Sequence, residues 1–332
     1  MTLNRRNCIT TLLGTALPAL SQLALAQTSA TSAMVADEVW TDATRKRDVP
    51  VKVRWPDASA FAGTRPVVIF SHGLGGTTDG GAVWGEAWAA AGLVVLHMQH
   101  AGSDLPAVRG AASSFTDQRA LRSLAGAEQL IARLHDVGFV LDELGRRQAS
   151  GAGRWGGVRP GQVGMSGHSF GAHTTLGMAG QTYPGFDGVS EPRLASFIAL
   201  SPTVPMLGDA ARAFERLTRP VLSITGTRDA DVVGTGATPE RRMAVYGALP
   251  AGHKAHLVLA DADHMTFAGQ TGRAVEIVPR VAITRDLQAA QHALVARITT
   301  DWWLATLAGD AAARERLQQP TGLLAGDLWA QG

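Results

Sequence analysis

Val163-Gly164-Met165-Ser166-Gly167-His168-Ser169-Phe170-Gly171-Ala172 is the stretch on which the reading of the fold turns. Val163–Met165 reads as the end of a short apolar strand, and the residues from Phe170 to Gly180 as a helix. Between them stands Gly-x-Ser-x-Gly. In a chain with 38 glycines that string alone is a weak signal, and its place between a strand and a helix gives it weight. A strand that turns straight into a helix strains the serine backbone and leaves room only for glycine at the flanking positions. It also sets the Ser169 hydroxyl at a helix N-terminus, whose partial positive charge favours a developing anion.

Outward from this turn the same alternation repeats. Apolar, β-branched runs at Val67–Ser71, Leu93–His97, Ser196–Leu200, Val221–Thr225 and His256–Leu259 predict strands. Helices are predicted over Ala82–Ala91, Asp117–Gly145, Ala172–Gly180, Pro239–Leu249 and Arg285–Leu307. Strands this uniformly apolar are buried on both faces, which predicts a mostly parallel sheet flanked by helices, an α/β class. Val49, Val51, Val53 and Trp55 alternate with other residues, a period-2 strand pattern within Glu38–Trp55. No linker interrupts the alternation, so residues 38–332 are expected to form one catalytic domain.

A serine hydroxyl needs a base to attack at neutral pH. In an α/β-hydrolase fold the chain order is serine, acid, histidine, the last two on loops after later strands. Gly226-Thr227-Arg228-Asp229 follows the strand at Val221–Thr225, and Asp261-Ala262-Asp263-His264-Met265 follows the strand ending at Leu259. His264 is therefore the expected base and Asp229 its orienting acid, with Asp231 the nearest rival. The tetrahedral oxyanion of acyl transfer needs donors. His72-Gly73-Leu74-Gly75-Gly76, directly after a strand, would supply the Leu74 amide, and the elbow would supply the Phe170 amide. Apolar neighbours of the triad, Trp84, Phe170, Met265 and Phe267, suggest an acyl or aryl pocket. His97, His100 and Asp104 are read as loop residues held by hydrogen bonds rather than as metal ligands. His168 is read as packing the elbow, and His253 and His256 as surface residues. Neither a metal nor a cofactor is expected.

At this point the chain resembles the bacterial predicted dienelactone hydrolases, which are similar to platelet-activating-factor acetylhydrolases. The likeness is carried by Phe70-Ser71-His72-Gly73-Leu74-Gly75-Gly76, by His97-Met98-Gln99-His100-Ala101-Gly102-Ser103, by Gly167–Ala172 and by Asp263-His264-Met265-Thr266-Phe267. Asp42 to Pro56, with Arg45, Arg47 and Val49-Pro50-Val51, resembles the opening strands of that family. The resemblance implies an α/β-hydrolase fold and cofactor-free hydrolysis of carboxylic esters. It also implies a Ser169–His264–Asp229 triad with Leu74 and Phe170 as oxyanion donors. True dienelactone hydrolases use a cysteine nucleophile, and this chain has Ser169 there. The runners-up are a cutinase-like polyester hydrolase and a non-catalytic protein of the same fold that only binds a ligand.

Composition narrows the partners. Hydrophobic residues are 45% and charged residues 17% of the chain, with 30 basic against 28 acidic side chains. No strong field draws such a surface to nucleic acid, so a small-molecule or lipid-like ester is the expected partner. Residues 1–26 read as a signal peptide: Arg5-Arg6, an apolar run from Ile9 to Leu25, and Ala24-Leu25-Ala26 before Gln27. The arginine pair matches a twin-arginine signal in part. Gly14, Pro18 and Ser21-Gln22 break the run, so stable membrane insertion is not expected. Cys8, the one cysteine, lies in that leader, which leaves no disulfide after cleavage. Residues 27–37 are expected to be a disordered lead-in, and the enzyme to be periplasmic or secreted. Intact mass of the exported protein should correspond to a chain starting at Gln27, and an active exported form retaining Met1 would refute the leader.

Overall fold

The computed structural model describes residues 34–58, 63–111, 117–272, 276 and 278–332. The expected leader, residues 1–26, and residues 27–33 lie outside them. Nine strands form one sheet: β1 (Met34–Asp42), β2 (Arg47–Trp55), β3 (Arg65–Ser71), β4 (Val94–Met98), β5 (Val158–His168), β6 (Leu194–Leu200), β7 (Val221–Arg228), β8 (Lys254–Asp263) and β9 (Leu328–Gln331). Their spatial order is β1-β2-β4-β3-β5-β6-β7-β8-β9. Strands β3 to β8 run parallel, and β1, β2 and β9 pair antiparallel at the two edges. The helices are α1 (Ala82–Ala90), α2 (Leu105–Ala111), α3 (Gln118–Leu124), α4 (Ala127–Ser150), α5 (Phe170–Ala179), α6 (Ala210–Phe214), α7 (Pro239–Ala248), α8 (Ala282–Trp303) and α9 (Ala311–Gln318).

Strand periodicity explains the layering. Successive side chains point to opposite faces. In β3, Val67 and Ile69 join one core layer with Leu130, Leu134 and Val137 of α4 and Leu176 of α5. Val68 and Phe70 join the other, with Trp84 and Trp88 of α1 and Val295, Ile298 and Trp303 of α8. Both faces are dry, which is why these strands lack polar alternation. Leu130, Leu134, Val137, Leu141 and Leu144 lie on one stripe of α4 at helical spacing.

The structure corrects several boundaries. Strand β1 begins at Met34, so residues 34–37 belong to the sheet and not to a disordered lead-in; Met34 pairs with Trp55 and Asp37 with Lys52. Residues 38–55 are a hairpin and not a single strand. Its turn is held by Asp42, whose carboxylate accepts from the Thr44 and Arg45 amides at 3.0 and 3.1 Å. The helix predicted over Asp117–Gly145 is two helices, separated at Ala125-Gly126, where extended Gly126 caps α4. His256 is buried against Ser223 rather than at the surface. Among the described residues, no helix is long and apolar enough to cross a membrane.

Among the buried histidines are His72, His97, His100 and His168. Burial pushes each below the ordinary imidazole value, His97 to about 3 and His100 to about 4. Folded values below unfolded ones mean that only the unfolded chain takes up protons as pH falls below about 6.5. Stability is therefore full above that pH and is lost progressively towards the folded values. His97 and His100 each remove on the order of 2 kcal/mol between pH 7 and 5, and His72 and His168 act in the same direction. Urea unfolding should show a much lower midpoint at pH 5 than at pH 7, and a flat profile would contradict the assignment.

Candidate active site

Three loops leave the carboxyl ends of parallel strands β5, β7 and β8, where sheets of this kind build their sites. The first carries Ser169, at φ 56° and ψ −114° between β5 and α5. That left-handed backbone is strained for a residue with a side chain, and such strain clusters at functional positions. Its neighbours explain the glycines. A Cβ on Gly167 would meet the Gly171 oxygen at 2.3 Å, and one on Gly171 would meet the Ser71 oxygen at 1.9 Å. Helix α5 can turn back this sharply only because both positions are bare.

The second loop follows β7. A Cβ on Gly226 would meet the Ala262 oxygen at 2.3 Å, so glycine lets β7 crowd the end of β8. The pairing register slips between Gly226 and Arg228, and the Asp229 amide donates back to the Gly226 carbonyl at 3.2 Å. This turn points the Asp229 carboxylate at the third loop, where His264 opens a short 3-10 turn, His264–Ala268.

The three side chains meet. Ser169 Oγ lies 2.8 Å from His264 Nε2, and His264 Nδ1 lies 2.8 Å from Asp229 Oδ1. With Nδ1–H donating to the carboxylate, Nε2 is free to accept the serine proton. Thr225 Oγ1 donates to the other carboxylate oxygen at 2.8 Å. Arg242 Nε, on α7, lies 3.0 Å from Oδ1 and donates to the Asp229 carbonyl at 2.9 Å. Burial alone would raise the Asp229 pKa, but the Arg242 charge and the His264 hydrogen bond outweigh it and hold the carboxyl at about 2. Asp229 is thus an anion across the working pH range. His168 Nε2 donates to the His264 carbonyl at 2.9 Å and so steadies the histidine loop.

The other acids are occupied elsewhere. Asp231 accepts from the Val233 and Gly234 amides at 2.8 and 3.0 Å, closing its own loop. Asp263 caps the 3-10 turn through the Thr266 amide at 3.0 Å and pairs with Arg280 at 2.7 Å.

Two cavities of about 460 Å³ each share Leu74, Ser169, Val232, Val233 and His264 in their walls. One runs along the His72–Gly80 loop to Arg109 and Met265. The other is walled by Phe170, Tyr183, Phe186, Val204 and Met206. Among the described residues, neither the Leu74 nor the Phe170 amide donates to a backbone carbonyl outside a regular element. Met265 lines one of the cavities, whereas Trp84 and Phe267 line neither. Both are fully buried: Trp84 stands edge-on to His292 at 5.1 Å, and Phe267 packs in the core layer beside α1 and α8. Adjacency to His264 in sequence put Phe267 near the site, but the 3-10 turn carries it inward.

A second serine–histidine–aspartate array lies below. Ser71 Oγ is 2.9 Å from His100 Nε2, and His100 Nδ1 is 3.0 Å from Asp136 Oδ2. All three are fully buried and line neither cavity, so no substrate reaches them. Side chains rather than backbone hold His100, unlike His97, whose Nδ1 donates to the Gly80 carbonyl at 2.8 Å. Asp104 accepts from Gln99 at 2.9 Å. Among the described residues, no group of histidine and carboxylate side chains is arranged to hold a metal ion. Arg133, Asp136 and Arg242 carry no signal in the local sequence.

No protein-family model matches the chain, and no curated protein matches it in sequence. If Asp229 orients His264 as the base of an acyl transfer, Asp229→Asn should lower kcat on a nitrophenyl ester by roughly 10⁴-fold with a smaller change in KM. Asp231→Asn should cost about tenfold or less, the scale of one lost loop hydrogen bond. The reverse ranking in steady-state kinetics would move the acid to Asp231.

Proposed function

We propose that this chain is a serine esterase of α/β-hydrolase fold that hydrolyses carboxylic esters through an acyl-enzyme. The observation that carries the reading is the unbroken Ser169–His264–Asp229 hydrogen-bond chain, 2.8 Å at each link, at a strained turn between two cavities. The order serine, acid, histidine on loops after successive strands is that of α/β-hydrolases.

In this reading Ser169 Oγ attacks the ester carbonyl while His264 Nε2 takes its proton. Asp229, held anionic by Arg242, stabilises the imidazolium and keeps its Nδ1–H in place. The carbonyl oxygen, now an anion, lies against the Leu74 and Phe170 amides. His264 returns the proton to the departing alcohol, and water activated by the same base releases the acid. No step uses a metal or a cofactor. Two apolar cavities that meet at the serine suit an ester with an apolar group on each side of the carbonyl. A ligand-binding protein without activity would have no use for a complete proton relay and a strained serine.

The test is a chain-length series of nitrophenyl esters assayed beside a polyester film and an oxidised phospholipid. Ser169→Ala should lose roughly 10⁴-fold or more in turnover with an unchanged fold. A fluorophosphonate should label Ser169 alone, and chelators should leave the rate unchanged. Retention of most activity by the alanine variant would overturn the proposal.

A further inference from the structure

Helix α4 contributes nothing to the triad, yet its Arg133 side chain is fully buried beneath both proposed oxyanion donors. Nη1 donates to the His72 carbonyl at 2.7 Å and Nε to Ser103 Oγ at 2.8 Å. Nη2 reaches the Ser103 carbonyl at 3.4 Å and the Gly73 carbonyl at 3.5 Å. The guanidinium also lies over the Phe170 ring, 4.2 Å from its centroid. Nη2 is also 3.5 Å from His72 Nδ1, but this is not a hydrogen bond. His72 Nε2 accepts from the His100 amide at 3.0 Å, which leaves Nδ1 as the protonated nitrogen, donating to the Gly73 carbonyl at 2.6 Å.

Peptide planarity makes these contacts matter. The Gly73 carbonyl and the Leu74 N–H belong to one trans peptide and point in opposite directions. Whatever grips that carbonyl from the core side therefore aims the Leu74 N–H towards the cavity. Three donors do so: His72 Nδ1, the Gly76 amide at 3.1 Å and Arg133. On the other loop, the guanidinium face holds the Phe170 ring, and with it the residue whose amide is the second donor.

The charge itself needs a reason. A buried cation is costly unless compensated. Among the described residues no carboxylate pairs with Arg133. Asp136, one turn along α4, is taken by Arg45, Arg47 and His100. Burial lowers the Arg133 pKa only to about 9, so it stays charged at neutral pH. Asp136 and Asp104 act on it only through space, without a hydrogen bond, and a cation held behind the Leu74 and Phe170 amides favours a negative charge in front of them.

We infer that Arg133 is a positioning residue for the oxyanion hole: one guanidinium braces the His72–Gly73–Leu74 backbone, chiefly through the His72 carbonyl, and the Phe170 ring together. The inference rests on the esterase reading. Lysine keeps the charge but not the planar fork. Arg133→Lys should lose about 10²–10³-fold in kcat, the scale of one oxyanion donor, with KM within about threefold. Inhibition by a trifluoromethyl ketone, which forms a tetrahedral adduct on serine, should weaken by the same factor as kcat/KM. A merely structural arginine would lower the melting temperature without that parallel. A folded Arg133→Lys enzyme with kcat within about threefold of the parent overturns the inference. Should that variant not fold, Ser103→Ala removes the Nε acceptor, together with the long 3.4 Å hydrogen bond from Ser103 Oγ to the His100 carbonyl. It should cost about tenfold in kcat at constant KM, and parental kinetics there overturn the inference equally. Fluorophosphonate labelling of Ser169 separates the two levels. An unlabelled, inactive parent brings down the esterase reading and this inference with it, whereas a labelled, active parent with an indifferent Arg133→Lys variant brings down this inference alone.

Discussion

Backbone packed against backbone at Gly167 and Gly171 is the constraint from which the rest of the site follows. Helix α5 sits so close to the end of β3 that a single methyl group at Gly171 would overlap the Ser71 carbonyl. This contact places the Ser169 backbone in its left-handed conformation and lifts the hydroxyl clear of the sheet. It also brings the Phe170 amide beside the loop that starts one residue after Ser71. Ser169 and the His72–Gly76 loop are therefore positioned by one and the same steric fit. Neither could shift without the other.

Beneath that fit lies a polar layer unusual for the middle of a dry core. His72, His100, Arg133 and Asp136 are all fully or almost fully buried, and each finds partners in the others or in nearby backbone. A half-satisfied network would destabilise the domain, while a complete one selects a single arrangement of the loops it joins. The buried serine–histidine–aspartate array belongs to this layer. It has the distances of a catalytic triad but lacks access and a strained serine. Hydrogen-bond geometry alone is thus an insufficient criterion for a site.

The sequence was most legible where function demands local chemistry. The two glycines around Ser169 and the loops bearing Asp229 and His264 announce themselves within a few residues, because a turn of fixed shape needs fixed residue types. The parallel sheet was legible because both faces of each central strand are apolar. Strand β1 was not: it is an edge strand with mostly exposed side chains, so Met34–Asp37 look like loop. Trp84 and Phe267 were misplaced because nearness in sequence does not say which way a side chain faces. Arg133, Asp136 and Arg242 were invisible because their roles arise from partners distant in sequence, such as His72 for Arg133 and Arg47 for Asp136.

The hairpin of β1 and β2 ties the outermost edge of the sheet to this interior. Its turn sends Arg45 and Arg47 to Asp136 at 2.8 and 2.7 Å, and Arg47 also donates to the Ala101 carbonyl at 2.7 Å. With the hairpin detached, Asp136 would keep only His100 while still buried, and burial would press it to take up a proton. His100 would then lose the anion that fixes its ring, and with it the firm partner of the Ser71 hydroxyl. The first strands of the domain are thus tied by charge to the buried layer that underlies the loop after β3.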